Sequence, residues 1–580
     1  MSTVFLSGYF TGYTLQAQYD TLIVATGGTI GAGGVASGIS NNYTVINGGR
    51  IGTSGGNTGV LIYRGGTVIN DLGASITGGI TGVNLGSGYQ SRGTHTSFGS
   101  VVNNGSIAGG TGDGIYLGDN LLQGAFVTNG GTGNTGALIS GANGIDDVAG
   151  VFATIDAVID NFGTIQGTGG VGFAGIKMDD GTPGTIVNGS SLDTVALISG
   201  YIGVDGTTDS PTVLQNFGTI ESTGSIAVLL DSSADTLIDE AHAVFIGTVD
   251  GAGGTLKLAG DGGAGTLTGI GTSFTDFSNV SINSDATWTL TGANTIASGA
   301  TLTNDGTLTD AGTISGGIRL GAASARLSIA GGGYLSNNGT GSAVYSRYAV
   351  SVVNQGTIEV EAPGASVPGY YGIELANGGS IDNGGTITGN NLAGLRVLGG
   401  VSVTNSGLIA SGRAGVFADF GVSIDNIGTI HGPINGVFAR NGAATITNSG
   451  TIYGNNAIWV LNGTGTITNS GTLQGLSDRA VSLTAGGTVA NQAGGLITAP
   501  DNNVGVYLGG ANYTATASGV VTNAGTITGG TGILFYAGDT LSQTVIDSGT
   551  IIGSGGTAIA FSAGNDTLRL QPSTSAFIQG

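Results

Sequence analysis

The chain has 580 residues, of which 119 are glycine, 7 are proline and none is cysteine. Charged residues make up 8% of it, against about 25% in ordinary soluble domains, and the net charge is −22. Glycine without a G-X-Y period excludes collagen, and an apolar content of 39% argues against a disordered chain. The acidic balance argues against nucleic acid or an anionic membrane as a partner. The lack of cysteine removes disulfides and thiolate metal sites.

No apolar run reaches the roughly 18 residues that a membrane-spanning helix needs. Residues 1–8 also lack the basic stretch followed by an apolar run that marks a secretion signal. Three readings stay open at this point: a signal that has been removed, export by another route, or a cytoplasmic protein.

One motif recurs, (Ile/Val)-x-Asn-x-Gly-Thr-Ile, and its asparagine sets the register of an internal repeat. In a first block, residues 1–250, loose copies occur at Asn47, Asn70, Asn103, Asn161 and Asn216. The 33 residues from Asn70 to Asn103 predict a loop inserted at 87–95. The next two intervals, of 58 and 55 residues, predict two coils each, with insertions. Residues 251–299 change the pattern and predict variant linking coils.

The second block, residues 300–580, contains the regular repeats at 383–491. Its six aligned asparagines are spaced by 22, 21, 22, 21 and 22 residues: Asn383, Asn405, Asn426, Asn448, Asn469 and Asn491. Looser copies lie at Asn304, Asn354 and Asn523, with Asp547 in the asparagine position of a last copy. The 32 residues between Asn491 and Asn523 predict a second inserted loop at 509–515.

Each repeat holds three short apolar stretches with a period of two, separated by glycine and asparagine. In one coil they are Val422/Ile424, Ile430 and Val437/Ala439. Such stretches predict strands, and three strands with their turns fill one turn of a parallel β-solenoid whose coils rise about 4.8 Å. The predicted fold is therefore all-β, with coils of about 21–22 residues. The aligned asparagines are expected to form an amide ladder, and glycine is expected to supply corners with positive φ.

A longer similarity links 234–246 to 565–578. Asp235-Thr236-Leu237 leads to Phe245-Ile246 in the first copy, as Asp566-Thr567-Leu568 leads to Phe577-Ile578 in the second. Because the first copy continues into further sequence, we expect that Gly580 is not a structural end. A capping coil with a polar face is also absent from the sequence pattern.

The repeats resemble those of large bacterial secreted and surface β-solenoid proteins, including the passenger domains of autotransporters and related adhesins. The likeness rests on (Ile/Val)-x-Asn-x-Gly-Thr-Ile followed by Gly-x-x-Gly-(Val/Ile)-x-(Val/Leu), and on the segments 269–274 and 287–292. The resemblance implies a right-handed parallel β-helix, export and surface display, and no catalytic residue. A departure is the lack of the outer-membrane barrel expected at the C-terminus of an autotransporter.

An outward aromatic stripe is the first candidate site. Alternation in the third strands places Val416, Ala418, Val437 and Ala439 inward, which turns one column of large rings outward. The column consists of Phe417, Phe438, Trp459 and Tyr507, interrupted by Ser482. One interpretation is a docking strip for a glycan or another solenoid. The other is stacking between strands for stability, or cover by a loop.

Paired carboxylates are the second candidate. Asp146-Asp147 and Asp179-Asp180 resemble the adjacent aspartates of β-helical polysaccharide hydrolases. Neighbouring strand residues point to opposite faces, whereas hydrolysis needs two carboxyl groups across one cleft. Turn residues are therefore the favoured reading.

Metal sites are the third candidate. The sequence Gly564-Asn565-Asp566-Thr567-Leu568 resembles half of a calcium-binding nonapeptide, echoed at Asp539, Asp235 and Asp20, but the motif is not iterated. A structural aspartate is favoured, and an isolated calcium site stays open. His95, His242 and His431 have no metal-ligand spacing. We therefore predict no cofactor.

The sequence predicts a non-catalytic extracellular or cell-surface rod that attaches to a surface or matrix through loops and the aromatic stripe. Its partners would be a glycan or host surface, or other copies joined end to end or laterally. Two alternatives stay open: a self-assembling filament or surface-layer-like scaffold, and a β-helical polysaccharide hydrolase or lyase.

Overall fold

The structure is a computed structural model that describes residues 2–37, 42–87, 98–118, 121, 123–148, 157–178, 183–206, 211–361, 370–510, 516–572 and 576–580. Regular structure in these residues is entirely β, and every strand-to-strand ladder is parallel. The chain forms two compact units, Met1–Trp288 and Thr289–Gly580, which are described separately. The predicted all-β parallel solenoid is confirmed, with coils that average about 23 residues.

In the first unit, three stacks of strands run side by side, and each coil adds one strand to each stack. The first stack contains Thr3–Leu6, Thr21–Val24, Tyr43–Asn47, Gly66–Asn70, Gly99–Asn103, Ala125–Asn129, Ala157–Asn161, Gly184–Asn188, Thr212–Asn216, Thr236–Asp239, Thr255–Leu258 and Asn279–Ile282. The second contains Tyr9–Phe10, Thr29–Ile30, Arg50–Gly52, Ser75–Gly78, Ser106–Gly109, Leu138–Gly141 and Thr164–Gly167. The third contains Tyr13–Leu15, Val35–Ser37, Val60–Ile62, Val83–Leu85, Ile115–Leu117, Ile145–Asp147 and Ala174–Met178.

Longer strands then run through the second and third positions of one coil. They are Leu197–Gly206, Thr219–Leu230 and Val244–Asp250, and Phe274–Thr275 pairs with the end of the last. The remaining strands are Ala264–Leu267 and Thr287–Leu290, in which the boundary between the units falls.

The second unit repeats the three-stack arrangement. Its first stack contains Thr307–Asp310, Arg326–Ile329, Val350–Asn354, Gly379–Asn383, Val401–Asn405, Val422–Asn426, Ala444–Asn448, Gly465–Asn469, Gly487–Asn491, Gly519–Asn523, Thr544–Asp547 and Thr567–Leu570. The second contains Ala293–Thr295, Thr313–Ser315, Tyr334–Asn337, Thr357–Val360, Thr386–Gly389, Leu408–Ser411, Thr429–His431, Thr451–Gly454, Thr472–Gly475, Leu496–Thr498, Thr526–Phe535, Thr550–Ala560 and Phe577–Gln579. The third contains Thr301–Asn304, Ile318–Leu320, Val344–Ser346, Tyr371–Leu375, Ala393–Val397, Ala414–Ala418, Asn435–Ala439, Asn456–Val460, Val481–Leu483 and Val504–Leu508, and Thr526–Phe535 and Thr550–Ala560 continue it.

The core is a set of apolar columns, because parallel strands in register place like side chains above one another. Val403, Ile424, Ile446 and Ile467 form one such column at the first strands, and each is at most 2% exposed. Ile430 and Ile452 continue the core at the second strands, where both are fully buried.

A buried ladder of asparagine side chains runs along the axis at the end of the first strands. Asn448 accepts from Asn426 Nδ2 at 2.7 Å and donates to Asn469 Oδ1 at 2.8 Å. Its Nδ2 also donates to the carbonyl oxygens of Gly450 and Thr472, each at 3.2 Å. The amide–amide hydrogen bonds measure 2.7–2.9 Å along Asn354, Asn383, Asn405, Asn426, Asn448, Asn469, Asn491 and Asn523.

The two ladders end on an aspartate position. In the second unit, Asn523 donates to Asp547 Oδ1 at 2.8 Å. A carboxylate suits this place because it only accepts hydrogen bonds. In the first unit, the ladder is Asn47, Asn70, Asn103, Asn129, Asn161, Asn188 and Asn216, with 2.8 Å between neighbours. Asp239 follows Asn216 in register.

Asn129 and Asn188 confirm that the two long intervals of the first block hold two coils each. The loops predicted at 87–95 and 509–515 lie mostly outside the described residues.

The glycine of the repeated motif corrects one expectation. Gly407, Gly428, Gly450 and Gly471 all lack a positive φ, so they do not serve as left-handed corners. A Cβ at Gly428 would instead overlap the backbone oxygen of Gly407 in the adjacent coil. Glycine is required here because neighbouring turns approach too closely for any side chain. Positive φ does occur elsewhere, as at Gly442 and Gly487.

Candidate functional site

The predicted aromatic stripe forms a stack on the outer face of the third strands in the second unit. The ring centroids of Phe417 and Phe438 lie 5.5 Å apart at an interplanar angle of 22°. Those of Phe438 and Trp459 lie 4.9 Å apart at 36°. The strands place these residues in register, and offset stacking of this kind is worth about 0.5–1.5 kcal/mol per pair beyond the area buried.

The interruption at Ser482 is filled by an arginine. Ser482 pairs in register with Trp459 and with Tyr507, and its side chain is fully buried. The guanidinium carbon of Arg479, in the same coil, lies 4.0 Å from the ring centroid of Tyr507, and its Nη1 donates to Ser482 Oγ at 3.4 Å. A planar guanidinium therefore takes the place of the missing ring.

The other end of the stack is also an arginine and a tyrosine. Arg396 is in register with Phe417, and its guanidinium carbon lies 5.2 Å from the ring centroid of Tyr371. Burial raises the pKa of the Tyr371 hydroxyl, and the charge of Arg396 opposes that rise. Seven successive coils thus each contribute one flat group to what we call the aromatic column: Tyr371, Arg396, Phe417, Phe438, Trp459, Arg479 and Tyr507.

A chain of ion pairs runs beside the first half of this column. Arg396 Nη1 lies 2.6 Å from Glu374 Oε1, and its Nη2 lies 3.6 Å from Asp419 Oδ2. Arg440 pairs with Asp419 from the next coil, and its guanidinium carbon lies 5.6 Å from the Phe417 ring centroid. These charges neutralise one another along the axis.

The exposure of the column differs from the prediction of a solvent-facing stripe. Phe417, Phe438 and Trp459 are half-buried, and Tyr507 is only 8% exposed. The physical reason is that the ring faces cover each other and Arg479 covers Tyr507. Ring edges, and not faces, therefore meet the solvent. Whether the stripe binds a ligand stays a prediction.

A second feature lies where the second strands pass into the third strands, next to the column. We call it the outer corner and define it by His431, Asn435 and Trp459. His431 ends one strand and stacks on Tyr453 of the next coil, with centroids 4.1 Å apart at 16°. Asn435 begins the following strand and is 5% exposed. Trp459 lies one coil further on, in register with Phe438.

The three side chains of the outer corner share an unmet hydrogen-bonding requirement. His431 Nδ1, Asn435 Oδ1 and Trp459 Nε1 are each buried and have no hydrogen-bond partner among the described residues. Buried polar atoms in proteins are nearly always paired, and an exception calls for a ligand, a water molecule or another explanation. The repeat pattern masked this site, although asparagine at 435 and 456, where earlier coils have Ala393 and Ala414, was a visible signal.

The aspartates compared with calcium motifs bind backbone groups. Asp566 accepts hydrogen bonds from Ser562 N at 2.7 Å and from Gln543 N at 2.8 Å. Asp235 accepts in the same way from Ser232 N at 2.9 Å and from Thr212 N at 2.7 Å. This common role explains the similarity between their two segments. No three His, Cys, Asp or Glu side chains of the described chain are grouped as a metal site.

The paired carboxylates do not form one constellation. Asp147 lies in an inward column between Leu117 and Met178 and is 1% exposed, whereas Asp146 occupies the outward column. Asp179, Asp180 and His95 lie outside the described residues, and His242 is exposed at a turn.

No protein-family model matches the sequence, and no curated protein is significantly similar to it. None of the described residues forms a helix of the length and hydropathy needed to cross a membrane.

Proposed function

We propose that this protein is a non-catalytic structural and adhesive β-solenoid, displayed outside a bacterial cell, that attaches to a surface or matrix through the outer face around the aromatic column. The observation that carries the proposal is the use of its polar side chains. Asparagines, aspartates and arginines bind the neighbouring coil, in the asparagine ladders, at Asp235 and Asp566, and in the ion pairs of Arg396.

This use of side chains favours a scaffold over an enzyme. A catalytic carboxyl group needs a partner across a cleft and a reacting atom between them. The carboxylates of Glu374 and Asp419 are instead held by Arg396 and Arg440. A continuous axial network stiffens a solenoid, and stiffness suits a molecule that holds many weak contacts along one side.

Extracellular display follows from the same features. Ladders made of amides and glycine need no thiol chemistry, and the absence of cysteine suits an oxidising environment. The resemblance to bacterial surface solenoids supports the same location.

Attachment under flow tests the proposal. Beads coated with purified protein are passed over mucin and over extracellular matrix, and we expect retention that falls at least severalfold with Trp459→Ala. Phe126→Ala is the matched control, because Phe126 is an outward aromatic side chain, 40% exposed, in the first unit. Circular dichroism and thermal unfolding verify that both variants are folded.

Three outcomes would contradict the proposal. Retention that is equal for the wild type and uncoated beads would remove adhesion. Release of soluble sugars from polysaccharide substrates would indicate a hydrolase or lyase. Long filaments in electron micrographs of the purified protein, with no retention on beads, would favour the self-assembling scaffold.

A further inference from the structure

The outer corner contrasts with the asparagine ladder. In the ladder, Asn448 has two amide partners and two further carbonyl partners. Asn435 is stacked in the same way on a neighbouring asparagine, Asn456, yet its buried Oδ1 has no partner. The backbone spacing is the same in both places, so the unpaired amide is a property of the corner. Asn456 differs again, since its Oδ1 accepts from Arg479 N at 3.4 Å.

The three unpaired atoms specify the chemistry of a ligand. Asn435 Oδ1 needs a donor, Trp459 Nε1 needs an acceptor, and His431 Nδ1 takes either role with its tautomer. A hydroxyl group donates and accepts at once. None of the three atoms belongs to an acidic or strongly basic group, so the matching ligand is polyhydroxylated and neutral.

Other ligand classes fit less well. A flat aromatic ligand would need a free ring face, but the faces of His431 and Trp459 are stacked on Tyr453 and Phe438. An acidic polymer would meet a chain of net charge −22, whose nearest arginines, Arg396 and Arg440, are already paired with carboxylates. Repulsion of like charges therefore disfavours acidic glycans.

We propose that the outer corner of His431, Asn435 and Trp459 is a binding site for a neutral glycan. The inference rests on the adhesive function proposed above and names its ligand class. Sugar hydroxyls complete the hydrogen bonding of the three atoms. Ile434 and Arg413, which share this corner through the hydrogen bond from Ile434 N to Arg413 O, have exposed side chains that change rotamer to admit the ligand.

Isothermal calorimetry with the full chain tests the site. The probes are cellohexaose, chitohexaose, maltohexaose and mannohexaose, with heparin and polygalacturonate as acidic counterparts. We expect binding of a neutral oligosaccharide and none of the acidic polymers. Trp459→Phe and His431→Phe keep the ring stacks and remove only the polar atom, and each is expected to weaken binding about tenfold. Asn57→Leu, an exposed asparagine of the first unit, is the control that leaves affinity unchanged.

Asn435→Leu separates a binding role from a structural one. Leucine has nearly the same shape as asparagine and leaves no polar atom unpaired, so the thermal midpoint is expected to stay or rise while glycan affinity falls at least tenfold. Asn448→Leu is the comparison, since it breaks satisfied hydrogen bonds of the ladder and is expected to lower the midpoint by several degrees. A fall in the midpoint for Asn435→Leu as large as for Asn448→Leu would overturn the site.

Failure of this inference is distinguishable from failure of the proposed function. Beads that are retained through Trp459 while calorimetry finds no neutral glycan would leave adhesion standing and refute the glycan site. Glycan binding that is unchanged in Trp459→Phe, His431→Phe and Asn435→Leu would also refute it. Loss of both bead retention and glycan binding in the wild type would refute both.

Discussion

At the scale of single residues, this solenoid depends on two side-chain sizes that no other residue replaces. Asparagine at the end of the first strands has two donors and an acceptor, which bond both the next amide and a carbonyl of the next coil. Glycine two residues later lets adjacent turns touch through their backbones. The motif Asn-x-Gly therefore records a spacing between coils and not a turn conformation.

The glycine argument gives a direct prediction. Gly428→Ala places a methyl group against the backbone oxygen of Gly407, which cannot move without shifting the whole coil. We expect the free energy of unfolding to fall by about 1–3 kcal/mol, measured by urea unfolding followed by circular dichroism. Gly400→Ala is the control, because a Cβ there meets nothing within 4 Å and Gly400 has no positive φ. It is expected to be neutral or stabilising by about 0.5 kcal/mol. Equal losses in both variants would refute the close-approach explanation.

At the scale of elements, the aromatic column shows how a gap in one strand is filled from a turn. The strand Val481–Leu483 supplies only Ser482 to the column, and Arg479 reaches it from the preceding turn. The resulting contact, with the guanidinium 4.0 Å from the Tyr507 centroid, joins Trp459 and Tyr507 across one coil. Its pairing with Asp478 at 3.8 Å is exposed and contributes little.

Arg479→Ala tests this joint. Loss of the guanidinium removes a cation–π contact of about 1 kcal/mol and opens Tyr507 to water, so the thermal midpoint is expected to fall by a few degrees. Arg479→Lys should recover little of the loss, because an ammonium group cannot stack as a plane. Hydrogen exchange should accelerate in Asn456–Val460 and Val504–Leu508 and not in Ala393–Val397. Arg326→Ala, an exposed arginine on a strand of the same unit, is the control. Unchanged exchange in the coils on either side of Ser482 would contradict the joint.

At the scale of the whole molecule, the sequence predicts what repeats and misses what does not. Six asparagines at intervals of 21 or 22 residues were sufficient to predict the coil and its inward columns, because a solenoid stacks equal positions. Asn129 and Asn188 were missed since neither is followed by Gly-Thr-Ile. Arg479 was missed because its ring-like role depends on a turn, and the outer corner because an unpaired atom leaves no periodic signal.

The carboxyl groups give the molecule an unusual response to acid. All the carboxyl pKa shifts that stand out among the described residues are upward: Asp160, Asp239, Glu240 and Asp310. Burial is the main cause in each case, and the charge of Glu240 adds to it at Asp239. Asp310 is fully buried at the end of a first strand, where the next coil offers Ile329 and no amide. Burial raises its pKa from 3.8 to about 6, and the hydrogen bond from Gly312 N only partly opposes this.

The sign of the resulting pH dependence follows from proton binding. The folded chain holds the proton of Asp310 more tightly than the unfolded chain, so its contribution to stability is complete below pH 3.8 and is lost as the pH rises through about 6. We therefore expect the thermal midpoint of the second unit to rise on acidification from pH 7 to pH 4, read by hydrogen exchange in Thr307–Asp310. Reduced repulsion in a chain of charge −22 acts in the same direction. Asp310→Asn separates the two effects, because it keeps the shape, removes the titration and leaves the remaining charges. A midpoint that rises equally in Asp310→Asn and wild type would assign the whole response to net charge.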